Sequence, residues 1–124
     1  MGLDAARQGA GRGINLGDCR VVKEAVSIPV LCTGGFQTAS VVADAIGRGD
    51  CDGVTIGRPL IANPNLVELW RAGHDRPPRP CTYSNKCLIN QVENPLGCYE
   101  RSRFDSRDEM VREILSVYEP PQFA

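Results

Sequence analysis

Two short apolar segments, each followed by a glycine turn, constrain the fold of this chain more than any other feature. Residues 29–36 read PVLCTGGF and residues 53–60 read GVTIGRPL. The segment between them, Gln37 to Gly49, has the length of one helix. Parallel strands need a crossover connection, which is usually a helix, so this order predicts two neighbouring parallel strands.

The two glycine turns are expected to lie side by side, because the carboxyl ends of neighbouring parallel strands meet at one edge of a sheet. Gly34, Gly35 and Gly57 let backbone N–H groups approach a ligand closely, and Arg58 adds a planar guanidinium. Such donors beside a helix N-terminus suit a phosphate. Taken singly, each residue has a plainer explanation as a tight turn or a solvated arginine. The pairing at β/α spacing favours a phosphate site, as in the loops after strands seven and eight of many (β/α)8 barrels.

Hydrophobic periodicity predicts the remaining elements. The predicted helices are 16–26, 39–48, 65–72 and about 106–118, and the predicted strands are 30–32 and 54–56. The first strand is wholly apolar and the second is also interpreted as buried, as is typical of a parallel sheet covered on both faces. Asp18, Thr38 and Ser106 are the expected N-caps, with Glu109 completing a capping box after Ser106.

Composition changes along the chain predict three regions. Residues 1–73 carry the β/α units and the candidate phosphate site, residues 74–105 form a proline-rich connector and a cysteine-containing loop, and residues 106–124 form a C-terminal helix and tail. The whole chain has 124 residues, whereas a complete (β/α)8 barrel takes roughly 250. The β/α units predict an α/β fold class. Because the chain has about half the length of a complete barrel, the barrel is expected to be incomplete.

The overall charge does not favour binding to polyanions. The formal net charge is −1, so no global field favours nucleic acid or a membrane surface, and we expect neither as a partner. The N-terminus lacks the apolar core of a signal peptide, which predicts a cytoplasmic protein with reduced thiols. Cys19, Cys32 and Cys51 lie in apolar patterns and are interpreted as small buried side chains.

The strings around the two turns also carry a family resemblance. Residues 28–37 read IPVLCTGGFQ, and residues 52–66 read DGVTIGRPLIANPNL. Together with CTYSNKC at 81–87 and NPLGC at 94–98, they resemble the C-terminal part of the Old Yellow Enzyme family of NADH:flavin oxidoreductases. The resemblance covers about residues 14 to 120.

The resemblance implies a TIM barrel that binds FMN non-covalently, with the matched segments as strands seven and eight and their helices. It implies that Gly34, Gly35 and Gly57 contact the FMN phosphate through their backbones and that Arg58 is its charged partner. Phe36 is expected near the flavin edge. In this family the flavin accepts hydride from NADH or NADPH and reduces a small acceptor, often an activated alkene.

The family's catalytic residues lie upstream of the matched region, so the resemblance implies no catalytic residue in this chain. We expect a fragment that is inactive alone and that self-associates or pairs with the missing N-terminal barrel half. His74 is interpreted as a solvated loop residue. Two other hypotheses stay open: a non-enzymatic module that holds a phosphorylated ligand or a metal cluster, and a non-functional truncation.

Three further cysteines, Cys81, Cys87 and Cys98, cluster in the sequence. The longer branch of the resembled family, which includes trimethylamine dehydrogenase, carries a four-iron cluster on four cysteines in this region. Here Ser84 occupies the second ligand position, and serine is a poor replacement for a thiolate. An iron–sulfur site on the three cysteines, a zinc site and plain free thiols all stay open, and free thiols are slightly favoured.

Overall fold

The computed structural model describes residues 13–118. Its elements are, in chain order, α1 (Leu16–Ala25), β1 (Leu31–Thr33), α2 (Ala39–Gly47), β2 (Gly53–Thr55), α3 (Arg58–Ala62), α4 (Leu66–Arg71), α5 (Lys86–Asn90), a 3-10 turn (Arg101–Arg103) and α6 (Arg107–Ser116). The described residues fall into two compact units, which meet in sequence between Tyr83 and Ser84. The predicted α/β class is confirmed. None of the described helices has the length and apolar character needed to cross a bilayer.

The first unit is built on a two-stranded parallel sheet. β1 pairs with β2 in the register Leu31↔Gly53, Cys32↔Val54 and Thr33↔Thr55, and α2 is the crossover between them. Both strands begin one residue away from their predicted positions. The core combines side chains from the strands, from α1 and α2 and from the loops, namely Cys19, Cys32, Phe36, Ala45 and Cys51. The prediction that three of the cysteines act as small buried side chains is confirmed.

The sheet is covered on one face, which corrects the prediction that both faces of the strands are buried. Cys32 is 2% exposed and packs in the core with Cys19 and Ala45 from the helices. Its neighbour Leu31 points to the opposite face and is 59% exposed. Alternate residues of a strand face opposite sides of the sheet. Apolar residues on both sides permit burial of both faces, but they do not show that both faces are covered.

The starts of the first two helices differ from the predictions in their capping side chains. α1 is preceded by Asn15 at the N-cap, and Asp18 lies in the first turn, where a carboxylate interacts favourably with the helix dipole. The Asn15 amide instead donates to the carbonyl of Thr33 over 2.6 Å, which ties the start of α1 to the end of β1. Thr38 occupies the N-cap position of α2, but its side chain makes no capping hydrogen bond.

The proline-rich connector is held against the first unit at several points. The buried Asn63 side chain donates to the carbonyl of Arg79 over 3.0 Å. Gln37, which is fully buried, accepts from the Cys81 N–H over 2.8 Å and donates to the Cys81 carbonyl over 3.0 Å. We call residues 75–83 the strap. The division into residues 1–73, 74–105 and 106–124 stays a prediction.

The second unit packs around α6. Its buried core contains Phe104, Met110 and Ile114, with Tyr99 against them. The predicted N-cap of α6 is confirmed, because Ser106 Oγ accepts from the Glu109 N–H over 3.1 Å. The Glu109 carboxylate closes the box on the N–H of Asp105, over 2.9 Å, one residue earlier than the usual partner. The short helix α5 falls where the sequence predicted only a cysteine-containing loop.

Glu100 makes the second unit sensitive to acid. Burial opposes its ionisation, but hydrogen bonds from Lys86, Ser102 and Ser84 outweigh burial and lower the pKa of Glu100 to about 2, from an ordinary value of 4.5. Since the pKa is lower in the folded state, this carboxylate stabilises the fold above about pH 4.5, and the contribution is lost as the pH falls towards 2.

We therefore expect Glu100→Gln to lower the free energy of unfolding at pH 7 and to have progressively less effect below pH 4.5. Urea unfolding of the unaltered chain and of Glu100→Gln across this pH range measures the difference between their free energies of unfolding. The contributions of the other carboxylates largely cancel in this difference. Lys86→Met, which removes one donor to Glu100 over 3.1 Å, should shrink the pH-dependent part of the difference. A difference that is constant with pH would contradict the assignment.

Candidate functional site

The two glycine turns lie together at one edge of the sheet. In the parallel register Thr33 is paired with Thr55, so the chain leaves both strands at the same level. The hydroxyl groups of these two threonines contact each other across the strands. Gly34 and Gly35 follow the first strand directly, and Gly57 and Arg58 follow the second after one further residue. The structure thus brings the four predicted phosphate-binding residues to one edge of the sheet.

The first turn requires glycine for conformational reasons. Gly34 has a φ of +125° and Gly35 a φ of +74°, both in the region that L-residues rarely adopt. A Cβ atom on Gly34 would lie 2.8 Å from Nδ2 of Asn15 and 3.0 Å from Cγ1 of Ile14. Glycine is therefore the residue that fits without strain between the end of β1 and the segment that leads into α1.

The second turn is also the start of a helix, which is not among the helices predicted from the sequence. Gly57 is the N-cap of α3, and its carbonyl accepts from the N–H of Leu60 over 2.9 Å. The first turn of α3 contains no acidic residue to offset its positive end. A Cβ on Gly57 would meet no described atom within 4 Å, so this corner borders open space. A short extra helix after a late strand is a frequent part of barrel phosphate sites.

The N-terminus of α2, which follows the first turn, is occupied by a carboxylate of the protein. Asp75 in the strap accepts from the Ser40 N–H over 2.7 Å and from the Ser40 hydroxyl over 2.9 Å, and its carbonyl accepts from the Ala39 N–H over 2.8 Å. The donors of this helix end are therefore used internally. Neither helix has an acidic residue in its own first turn, and the carboxylate at the start of α2 comes from the strap. Sequence analysis did not identify Asp75, since it lies 35 residues from its partner.

Arg58 is the first residue of α3, and its guanidinium carbon lies 4.8 Å from the centroid of the Tyr83 ring. Tyr83 has a left-handed backbone, with a φ of +57°, which is rare for a bulky residue. Burial raises the pKa of Tyr83, and the nearby positive charges of Arg58 and Arg76 act in the opposite direction. The buried Tyr83 hydroxyl has no hydrogen-bond partner among residues 13–118. Sequence analysis did not place Tyr83 at this site, because nothing in the sequence indicates that a tyrosine has a positive φ.

Phe36, which the resemblance had placed near the flavin edge, lies in the core of the first unit and is 1% exposed. Its ring packs beside Gly13, where a Cβ atom would lie 2.7 Å from the ring. The structure accounts for Phe36 as a packing residue, and its role beside a flavin stays a prediction. His74 is exposed, in agreement with its interpretation as a loop residue.

The three candidate iron–sulfur ligands are not joined in disulfide bonds, differ in exposure and belong to different units. Cys87 is buried, whereas Cys81 and Cys98 are partly exposed. Cys81 lies in the strap of the first unit, and the other two lie in the second unit. Ser84, which occupies the second ligand position, hydrogen-bonds to Glu100. Within residues 13–118, no group of three or more His, Cys, Asp or Glu side chains is arranged to hold a metal ion. The iron–sulfur site stays a prediction.

The family of the chain follows from comparison with known proteins. The sequence model of the dihydrouridine synthase family (Dus) matches residues 5–119, which is nearly the whole chain. The chain belongs to the dihydrouridine synthase family. This is a flavin-dependent family with a TIM-barrel fold, so the coarser part of the family prediction is confirmed. A two-stranded parallel sheet with a helical crossover is consistent with part of such a barrel.

Curated relatives of this Dus-family chain include reductases and tRNA-modifying enzymes. It is 40% identical over 73 residues to bilirubin reductase of Mediterraneibacter gnavus, and the aligned region covers 59% of this chain and 11% of the relative. It is 30% identical over 79 residues to a metal reductase of Desulforamulus reducens, covering 62% and 12%. It is 26% identical over 87 residues to a probable tRNA-dihydrouridine synthase of Rickettsia typhi, covering 67% and 27%. The chain thus spans about an eighth of the length of the first two relatives or less.

Proposed function

We infer that this chain supplies the FMN phosphate site of an NAD(P)H-dependent flavin oxidoreductase of the Old Yellow Enzyme type. The single observation that carries the proposal is the register of the sheet, which sets the Gly34–Gly35 turn beside the Gly57–Arg58 turn. Similarity to bilirubin reductase supports a reductase in particular. In this proposal the matched strands are the seventh and eighth of a barrel, and the remaining strands, with the acceptor site, lie outside this chain.

The residues at this edge fit a phosphate monoester in three respects. Gly34 and Gly35 are partly exposed and have a backbone conformation that disfavours a side chain, Gly57 borders open space, and the first turn of α3 carries no acidic group. Backbone N–H groups at a helix start and a guanidinium are the donors that phosphates accept from in proteins. FMN, when bound, accepts hydride from a nicotinamide and delivers it to the acceptor. The chain's own contribution is to hold and orient the phosphate end.

Riboflavin, which lacks the phosphate, tests this proposal directly. We expect the chain to bind FMN weakly, with a Kd at least roughly tenfold lower than that for riboflavin, because charge-assisted hydrogen bonds contribute about 1.5–3 kcal/mol each. Quenching of flavin fluorescence on titration with protein measures both constants. Equal affinities would contradict the proposal. Rapid NADH oxidation by the chain alone, with FMN and an enone, would also contradict it, because the proposal places no catalytic group here.

A second candidate function is a part of a tRNA-dihydrouridine synthase, and the family match and the tRNA-modifying relatives favour it. Both candidates use the same flavin phosphate site and differ in the acceptor. The expectation of no nucleic-acid partner rested on a net charge of −1 and needs its own test. An electrophoretic shift of tRNA by this chain that weakens steeply with salt would favour the synthase. Absence of a shift at low salt would favour the reductase.

A further inference from the structure

The strap connects the first glycine turn to the arginine of the second through an unbroken series of contacts. Gln37 lies just after the Gly34–Gly35 turn, is fully buried and holds the backbone of Cys81 through two hydrogen bonds. Cys81 Sγ in turn accepts from the Tyr83 N–H over 3.3 Å. The Tyr83 ring lies beneath the Arg58 guanidinium, 4.8 Å from its carbon to the ring centroid.

The conformation of Tyr83 is costly in itself. A left-handed backbone at a bulky residue and a buried hydroxyl without a described partner both oppose folding. Such features persist only where the surrounding contacts over-determine them, and they concentrate at functional sites. With this conformation, the strap places the aromatic ring of Tyr83 against Arg58.

Stacking on a ring and binding a phosphate use different parts of a guanidinium. The ring contacts the flat face, whereas the N–H donors point outward in the plane of the group. A stacked arginine therefore keeps the geometry that phosphate recognition needs and loses less rotamer freedom when the ligand binds. The position of the Tyr83 ring, 4.8 Å from the guanidinium carbon of Arg58, is compatible with phosphate binding.

We propose that Tyr83 is a positioning residue for the phosphate site: the strap holds its ring under Arg58 so that the guanidinium is ordered at the second glycine turn before the ligand arrives. This inference rests on the proposed function and assigns a binding role to a segment that the sequence suggested was a connector. It also gives Cys81 a role that needs no metal, as the acceptor that fixes the Tyr83 backbone.

Two substitutions separate the ring from the backbone. Tyr83→Phe keeps the ring and removes the buried hydroxyl, so we expect its FMN and riboflavin constants to stay within about twofold of those of the unaltered chain. Tyr83→Gly removes the ring but suits a φ of +57°, so it should fold without backbone strain. Loss of the stack should raise the Kd for FMN roughly 2- to 30-fold and leave the Kd for riboflavin unchanged.

Titration of the unaltered chain and both variants with FMN and with riboflavin gives the result, with circular dichroism confirming that each variant folds. Preserved FMN affinity in Tyr83→Gly, tighter binding in Tyr83→Gly, or equal weakening in both variants would overturn the positioning role. In each of those cases a preference of the unaltered chain for FMN over riboflavin leaves the proposed function standing. No preference in the unaltered chain would overturn the proposed function and the positioning role together.

Discussion

Arg58→Ala is expected to raise the Kd for FMN roughly 10- to 100-fold and to leave the Kd for riboflavin unchanged, because the phosphate is the part of FMN that the guanidinium contacts in the proposed site. Arg58→Lys should recover part of the loss, since it restores the charge without the planar pair of donors. The effect should shrink at high salt, where charge interactions at the protein surface are screened. Fluorescence titration with the two flavins measures each constant.

Arg71→Ala is the matched control for this substitution. Arg71 is an exposed arginine in the last turn of α4, and its removal changes the net charge by the same amount. We expect it to change the affinity for FMN by less than about twofold. A similar loss in both variants would mean that FMN senses only the overall charge, and weakened riboflavin binding in Arg58→Ala would mean that Arg58 supports the fold of the site.

Gly34→Ala is expected to destabilise the first unit by about 1–3 kcal/mol, because its φ of +125° is not accessible to alanine without strain. The added methyl group would also lie 2.8 Å from the Asn15 amide nitrogen, whose hydrogen bond to Thr33 ties α1 to β1. The free energy of unfolding in urea, followed by circular dichroism, measures the change.

Gly17→Ala provides the opposite expectation in the same unit. Gly17 lies inside α1, and a Cβ atom there meets nothing within 4 Å. Alanine should stabilise the helix by up to about 1 kcal/mol, because it restricts the unfolded chain and favours helix. If Gly34→Ala and Gly17→Ala changed the free energy of unfolding equally, the assignment of a positive φ to Gly34 would be contradicted.

Local pattern was sufficient to predict the elements that have a simple period or cap. Helical spacing predicted α1, α2, α4 and α6 to within two residues at their ends, and the Ser106 cap was read from its own neighbours. The α3 and α5 helices have five residues each, which is too short for a period to be recognised. Capping by Asp75 depends on a residue far along the chain, which no local window contains.

The amino-acid order was enough to establish that two parallel strands end in glycine turns and that one turn carries an arginine, because strand, turn and crossover signals are local. It could not establish what surrounds that arginine. The stack on Tyr83, the carboxylate at the start of α2 and the hold of Gln37 on Cys81 join residues 25, 35 and 44 positions apart (83 − 58 = 25). Such contacts arise only when the chain folds back on itself, since packing, and not propensity, selects which distant side chains meet.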